Sequence, residues 1–500
     1  MEREHQIAFF LRELETGDTW RRAAAAKGLG RVGRAEHAPA LIRSAADPSP
    51  EVRDGAATGL GRLGVRAAGH AVLPGLMADD DPWVRRRASL AAVRLGLRGP
   101  AVVAAFGRLL RDPDHPPRIN ALDALRSLGA VGDAPALVGL LGDPVPGVRG
   151  RAWALVHDAR KDPAVPAALV RAADRADDPA REPALLALRS IYAERPWDDA
   201  LLAELRAPSP AVRAVVAARL RHRADAPGTR AALRTALEAE RAAEAAFWLL
   251  HALARTGEEG TIRPALRWLG DGRAGPAAAR ALGMAGTRAA RARLRAALTD
   301  PALPSGTRGA AAEALGGSGR WDTVWLLLPL LEESGAEVRA GAVEGLAALV
   351  DAGLWPWERR AVAEALVAHL AGGRGGVRRT GQVLVGWAEA LPFVREAWDR
   401  GGSSAEVRAA LLALLDPDHA TDAGTPGDLP RLVGALEDPD DRVVHRAATG
   451  LAHWPAAVGV PASDAVRVRA RLTGLAAGAP GWVADAAGEA LRALDACRTG

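Results

Sequence analysis

The chain has 500 residues, enough for several ordinary domains. Its hydrophobic fraction of 49% and charged fraction of 25% exclude disorder of the whole chain. The 65 basic residues are all Arg except Lys27 and Lys161, and 60 acidic residues leave a formal charge of only +5.

In chain order, MEREHQIAFFLRELE is charged from Glu2 onward and lacks the apolar core of a signal peptide. Residues 4–15 predict a helix with no pairing partner, and residues 1–17 read as an N-terminal capping helix. From residue 18 a unit recurs at an early spacing of 31 to 33 residues. DPSPEVRDGAATGLGRLG (47–64) returns as DDDPWVRRRASLAAVRLG (79–96), DPVPGVRGRAWALV (143–156) and DPDDRVVHRAATGLAHW (438–454). The Val-Arg pair stands at Val52-Arg53, Val84-Arg85, Val148-Arg149, Val212-Arg213, Val338-Arg339, Val377-Arg378 and Val407-Arg408; Arg118 and Arg181 hold equivalent places.

Each unit predicts an Asp-Pro turn that caps a first helix, an amphipathic helix, a Leu-Gly stop and a second helix such as 134–143. Two helices in about 32 residues, with no strand pattern, give about 14–15 helix pairs in an all-α chain. No pair can bury its apolar face alone, so the units must stack. The array is expected over 18–415, with a long loop and candidate hinge at 416–428 and further repeats over 429–500. DAGLWPWE (351–358), GGRGG (372–376) and RGGSS (400–404) also predict lengthened loops.

The D-P-x-x-x-V-R-x-x-A-A-x-x-L-G pattern resembles the HEAT-repeat family, specifically bacterial phycobilisome-lyase-like HEAT repeats. The resemblance implies a right-handed α-α superhelix, a solenoid with first helices on its convex side and second helices lining a concave groove.

Few residues suggest chemistry. Neither lysine sits in a phosphate-binding loop, and the 11 His are scattered without His-x-x-x-His. The iron-binding deoxyhypusine hydroxylases of HEAT type use His-Glu dipeptides, and no His here precedes Glu. The single Cys497 permits no intrachain disulfide. The DPDH tetrads 112–115 and 416–419 fall on the repeat's own turn, which explains them as caps. No catalytic residue, cofactor or metal site is expected.

On the second helices, the residue one step beyond the first core position is Arg234, Arg263, Arg295, Trp325, Arg395 or Arg469. Arg230, Arg291 and Trp321 stand four residues earlier and Arg267 four later; before residue 200 no such column appears on second helices. This predicts a basic seam with indole interruptions, against the alternative of a solvated flank whose Arg pair with nearby carboxylates. Trp321, Trp325, Trp355, Trp357 and Trp398 are candidate ligand contacts. Trp20, Trp83 and Trp482 share one repeat position and predict packing at the first-helix start, while Trp153, Trp248, Trp387 and Trp454 predict core packing.

The expected function is a non-enzymatic scaffold that binds a protein or peptide partner in the groove, in the cytoplasm and without a membrane span. The alternative is nucleic-acid binding, because some alkylpurine DNA glycosylases resemble HEAT arrays. Against it, residues 251–500, which hold the seam, carry 28 basic and 29 acidic side chains, while residues 1–250 carry 37 and 31. A lyase or maturation factor is a third class, supported only by the repeat signature.

Overall fold

The computed structural model describes residues 2–419, 424–454 and 460–496. Residues 420–423 of the long loop and Cys497 lie outside the described residues. Among the described residues there are 30 α-helices, joined by short turns and 3-10 segments, and no strand. The all-α chain of stacked helix pairs expected from the period is what the structure shows. It divides into two compact units, residues 1–219 and residues 220–500.

In the first unit, Glu2–Thr16 packs on Thr19–Val32, with the Phe10 ring seated on Gly28. Thr19–Val32, Pro50–Leu63, Pro82–Arg94, His115–Leu128 and Pro146–Asp158 are successive first helices. Their second helices are Ala38–Ser44, Arg66–Leu76, Pro100–Leu109, Ala134–Gly139 and Ala164–Ala173. The core is Ala, Leu and Val, with the ladder's Val52, Val84 and Val148 nearly inaccessible. In the second unit the pattern continues, with Ser305–Gly316 and Ala336–Asp351 among the first helices.

The expected Asp-Pro cap is present at Asp81-Pro82, but the first Asp of the turn has another role. Asp79 lies two residues before the true N-cap, Asp81, which accepts hydrogen bonds from Trp83 N–H and Val84 N–H. Asp79 instead closes an Asx turn by accepting from Asp81 N–H at 3.0 Å. Asp47 and Asp438 do the same toward Ser49 and Asp440. In the Asp47 turn Pro48 lies within the turn and Pro50 opens the helix, while in the Asp79 turn the one proline, Pro82, opens it.

That geometry leaves the other Asp oxygens for the Val-Arg ladder. Arg53 donates through Nη1 to the Asp47 and Pro48 carbonyls of its own turn. Through Nε and Nη2 it reaches both oxygens of Asp79, at 2.6 and 2.8 Å, in the next unit of the array. Arg22–Asp47, Arg85–Asp112 and Arg118–Asp143 repeat the link in the first unit, and Arg308–Glu333 and Arg408–Asp438 in the second. Burial pushes the Asp79 carboxyl up, but hydrogen bonds from Arg53 and Asp81 N–H outweigh it and hold it below the usual range. The ladder is thus structural. Val377-Arg378 departs from it: GGRGG replaces the Asp-Pro turn, and Arg378 is exposed.

First helices approach one another closely through glycine. A Cβ on Gly55 would lie 2.7 Å from the Ala23 carbonyl oxygen, and one on Gly345 would lie 2.6 Å from that of Ala312. At 351–358 the expected lengthened loop shrinks to four residues, because Pro356 opens the helix Pro356–Ala371. Glu358, three residues past the N-cap Trp355, accepts from its N–H at 3.1 Å, as a capping box does.

Candidate functional site

The second-helix seam splits into two groups. Arg234 bonds Glu258 at 2.7 Å, Arg295 bonds Asp322 at 2.7 Å, and Arg469 pairs with Asp495. Arg395 grips Asp428 with two bonds of 2.7 and 2.8 Å. Asp428 is fully buried, at one end of the 416–428 segment, and Thr425 also donates to it. Each carboxylate lies 24 to 33 residues after its Arg, at or near the start of the following second helix or, for Asp495, late in Gly481–Ala496. These side chains form a second inter-repeat ladder.

Arg230, Arg267 and Arg291 are committed to carbonyl oxygens. Arg230 donates to Asp225, Arg267 to Glu238 and Glu240, and Arg291 to Gly286. Arg263 is exposed and, among the described residues, makes no hydrogen bond or ion pair. The structure therefore does not bring the Arg column together as free positive charge; pairing with neighbouring units absorbs most of it.

The indoles behave otherwise. Trp321 and Trp325 are 58% and 55% exposed, at the start of one second helix. Trp355 and Trp357, 60% and 63% exposed, start the next second helix and stack at 5.3 Å with a 6° interplanar angle. Trp387 precedes the following one, half-buried, at the same register. Trp398 is half-buried against the Leu412 and Leu432 cluster and offers no free face of comparable size.

The shared-position tryptophans correct an expectation. Trp20 is 74% and Trp83 62% exposed, so they do not pack into the preceding turn. As second residues of their helices they point away from the core stripe that starts at Ala23 or Val84. Trp482 keeps a structural contact, edge-on to His445 at 5.0 Å. Of the four indoles expected in the core, Trp454 is buried, while Trp153, Trp248 and Trp387 are only half-buried.

Surface grooves also run where sequence reasoning did not look, across the first helices. One of about 430 Å³ crosses Ala243–Ala254, Gly275–Ala285, Ser305–Gly316 and Ala336–Asp351. Its floor includes Ala254, Gly283 and Ala314, its rim Met284 and the Arg280–Glu313 pair. Burial, then the charges of Arg221, Arg280 and Arg255, hold His251 at its end below the usual imidazole range. Small residues at one helical register leave these grooves open, a signal present in the repeats' Ala and Gly.

The DPDH turns carry no site: Asp112 pairs with Arg85, and Asp416 with His453 at 2.8 Å. Among the described residues no group of three or more His, Cys, Asp and Glu could hold a metal ion. No helix among them is long and apolar enough to cross a membrane.

A HEAT-repeat family model matches residues 7–94, 70–156 and 273–347. The match is to HEAT repeats as such and does not single out the phycobilisome-lyase-like kind. No curated protein matches the chain. Among solved structures, the karyopherin Kap121p is 12% identical, with a TM-score of 0.44, covering 99% of this chain and 68% of that one. Kap95p, from a structure of its binding to RanGDP, is 12% identical at a TM-score of 0.40, covering 98% and 72%. Kap121p bound to the SUMO protease Ulp1p is 12% identical at 0.43, covering 99% and 67%. Segments of both units match the HEAT-repeat model.

Proposed function

We propose that this chain is a non-enzymatic scaffold that holds a protein or peptide partner along its second helices. The observation that carries this reading is the run of exposed indoles Trp321, Trp325, Trp355 and Trp357 on two consecutive second helices. Large exposed apolar groups that cluster are the mark of an interaction surface, and Trp is the residue that contributes most when such a surface is covered. The paired Arg around them supply a polar rim that stays satisfied with or without a partner.

The test is affinity capture from native lysate with and without nuclease, run in parallel on wild type, W321A/W325A and W355A/W357A. A protein that survives nuclease and is lost from both variants supports the scaffold reading. Retention by both variants at unchanged yield sinks the indole surface. Material lost with nuclease, with affinity falling steeply with salt, replaces the reading by nucleic-acid binding.

A further inference from the structure

In the first unit, the edge where first helices end and second helices begin carries two columns of arginine. Arg31, Arg62, Arg94 and Arg126 stand in the last turns of four successive first helices. Arg34, Arg66 and Arg98 stand at or just before the starts of the second helices that follow. All seven are exposed. Arg34 pairs with Glu4, and Arg126 with Asp158 at 2.6 Å. Arg31, Arg62, Arg66, Arg94 and Arg98 make no hydrogen bond or ion pair among the described residues. Arg3 adds to the same edge by donating to the Val32 and Gly33 carbonyls.

Helix electrostatics accounts for only one column. A cation in the last turn of a helix is favourable, but one at a helix start faces the positive end of the dipole. Arg34, Arg66 and Arg98 are therefore placed against the local field, at a period of 32 residues. An anion laid along this edge would reverse that cost and meet the N–H ends of Arg66–Leu76 and Pro100–Leu109 as well.

We propose that this edge docks an extended acidic segment of a protein partner. Packed helices lie about 8–10 Å apart, and an extended chain advances about 3.3–3.6 Å per residue, so about every second or third residue meets a new arginine pair. Arg31 to Arg126 spans three helix spacings, about 24–30 Å, which matches about seven to nine residues. Guanidinium forks at that spacing suit carboxylates in a line. No indole stands at this edge to stack a base, since Trp20 and Trp83 are at the opposite ends of their helices. The small surplus of charge over the whole chain also favours a short acidic peptide over a duplex.

The probe is a fluorescein-labelled oligoglutamate of about ten residues, with a labelled DNA duplex alongside, titrated with the full chain by fluorescence anisotropy. Wild type should bind the peptide saturably, and R62E/R94E/R98E should weaken it at least about tenfold. R171E/R293E/R442E, with the same change in net charge elsewhere, and W321A/W325A should stay within about twofold, which separates this edge from the indole surface. The neutral R62Q/R94Q/R98Q should fall between wild type and charge reversal. It stands in for the reversal if that variant's melting temperature drops. No saturable peptide binding, equal loss in both charge-reversed variants, or a duplex bound more tightly than the peptide through the same arginines overturns the proposal.

Discussion

Arg53 shows what one side chain does in this chain. Its guanidinium satisfies two carbonyls of its own turn while closing a two-pronged bond to Asp79 in the next unit, with only 8% of the Asp79 side chain accessible. Removing the Arg leaves a nearly buried carboxylate and two turn carbonyls without their donor. R53A should therefore destabilise the protein by about 2–4 kcal/mol, more than any exposed Arg such as Arg171. R53K keeps the charge but cannot fork, and should recover less than half of the loss. Urea denaturation of the three variants checks the order; equal midpoints for R53A and wild type would remove the ladder from the stability of the array.

Among elements, the first helices pack backbone to backbone. Gly345 sits where a Cβ would meet the Ala312 carbonyl at 2.6 Å and Leu327 Cδ1 at 2.8 Å, and a carbonyl cannot yield as a flexible side-chain end can. G345A should cost about 1–3 kcal/mol although Ala is the better helix former, while G474A, with open space around it, should be neutral or stabilising. A thermal melt of each variant decides, and a stabilised G345A would mean the helices separate easily. The period, the helix pairs and the buried Val were legible because they follow from repetition and apolar spacing. Gly345 was not, because a period does not tell a glycine that admits a neighbour from one that ends a helix. Gly64 and Gly129 are of the second sort, with φ of 83° and 63°. The seam failed as free charge for a related reason: Arg395 and Asp428 are 33 residues apart, and wheel geometry within one helix cannot see a partner in the next unit. The edge arginines do not stand out in the sequence because they sit at the last turns and starts of different helices, and a wheel drawn for one helix does not line them up across units.

For the whole molecule, stability is the sum of repeats and the contacts between neighbours, so protonation acts wherever a ladder group titrates. The two units differ in which groups those are. Asp79 in the first unit and Asp428 and Asp438 in the second are raised by burial, yet held below the usual carboxylate range by their Arg and N–H donors. A depressed carboxyl contributes fully above its unfolded value of about 3.9 and loses that contribution as pH falls through the folded one. Both units should therefore weaken below about pH 4. Only the second unit holds His251, His369 and His445, each lowered mainly by burial. A lowered imidazole favours the unfolded state once pH drops below about 6.5, because the unfolded chain takes up the proton first. Between about pH 6.5 and 5, residues 220–500 should thus lose protection while residues 1–219 keep theirs. Amide hydrogen exchange, corrected for its intrinsic pH dependence, reads both units in one sample. H369Q should flatten the loss, since His369 is only 3% exposed and its ring meets the Leu331 carbonyl. Equal weakening of both units in that range would assign mild-acid sensitivity to carboxylates rather than to these imidazoles.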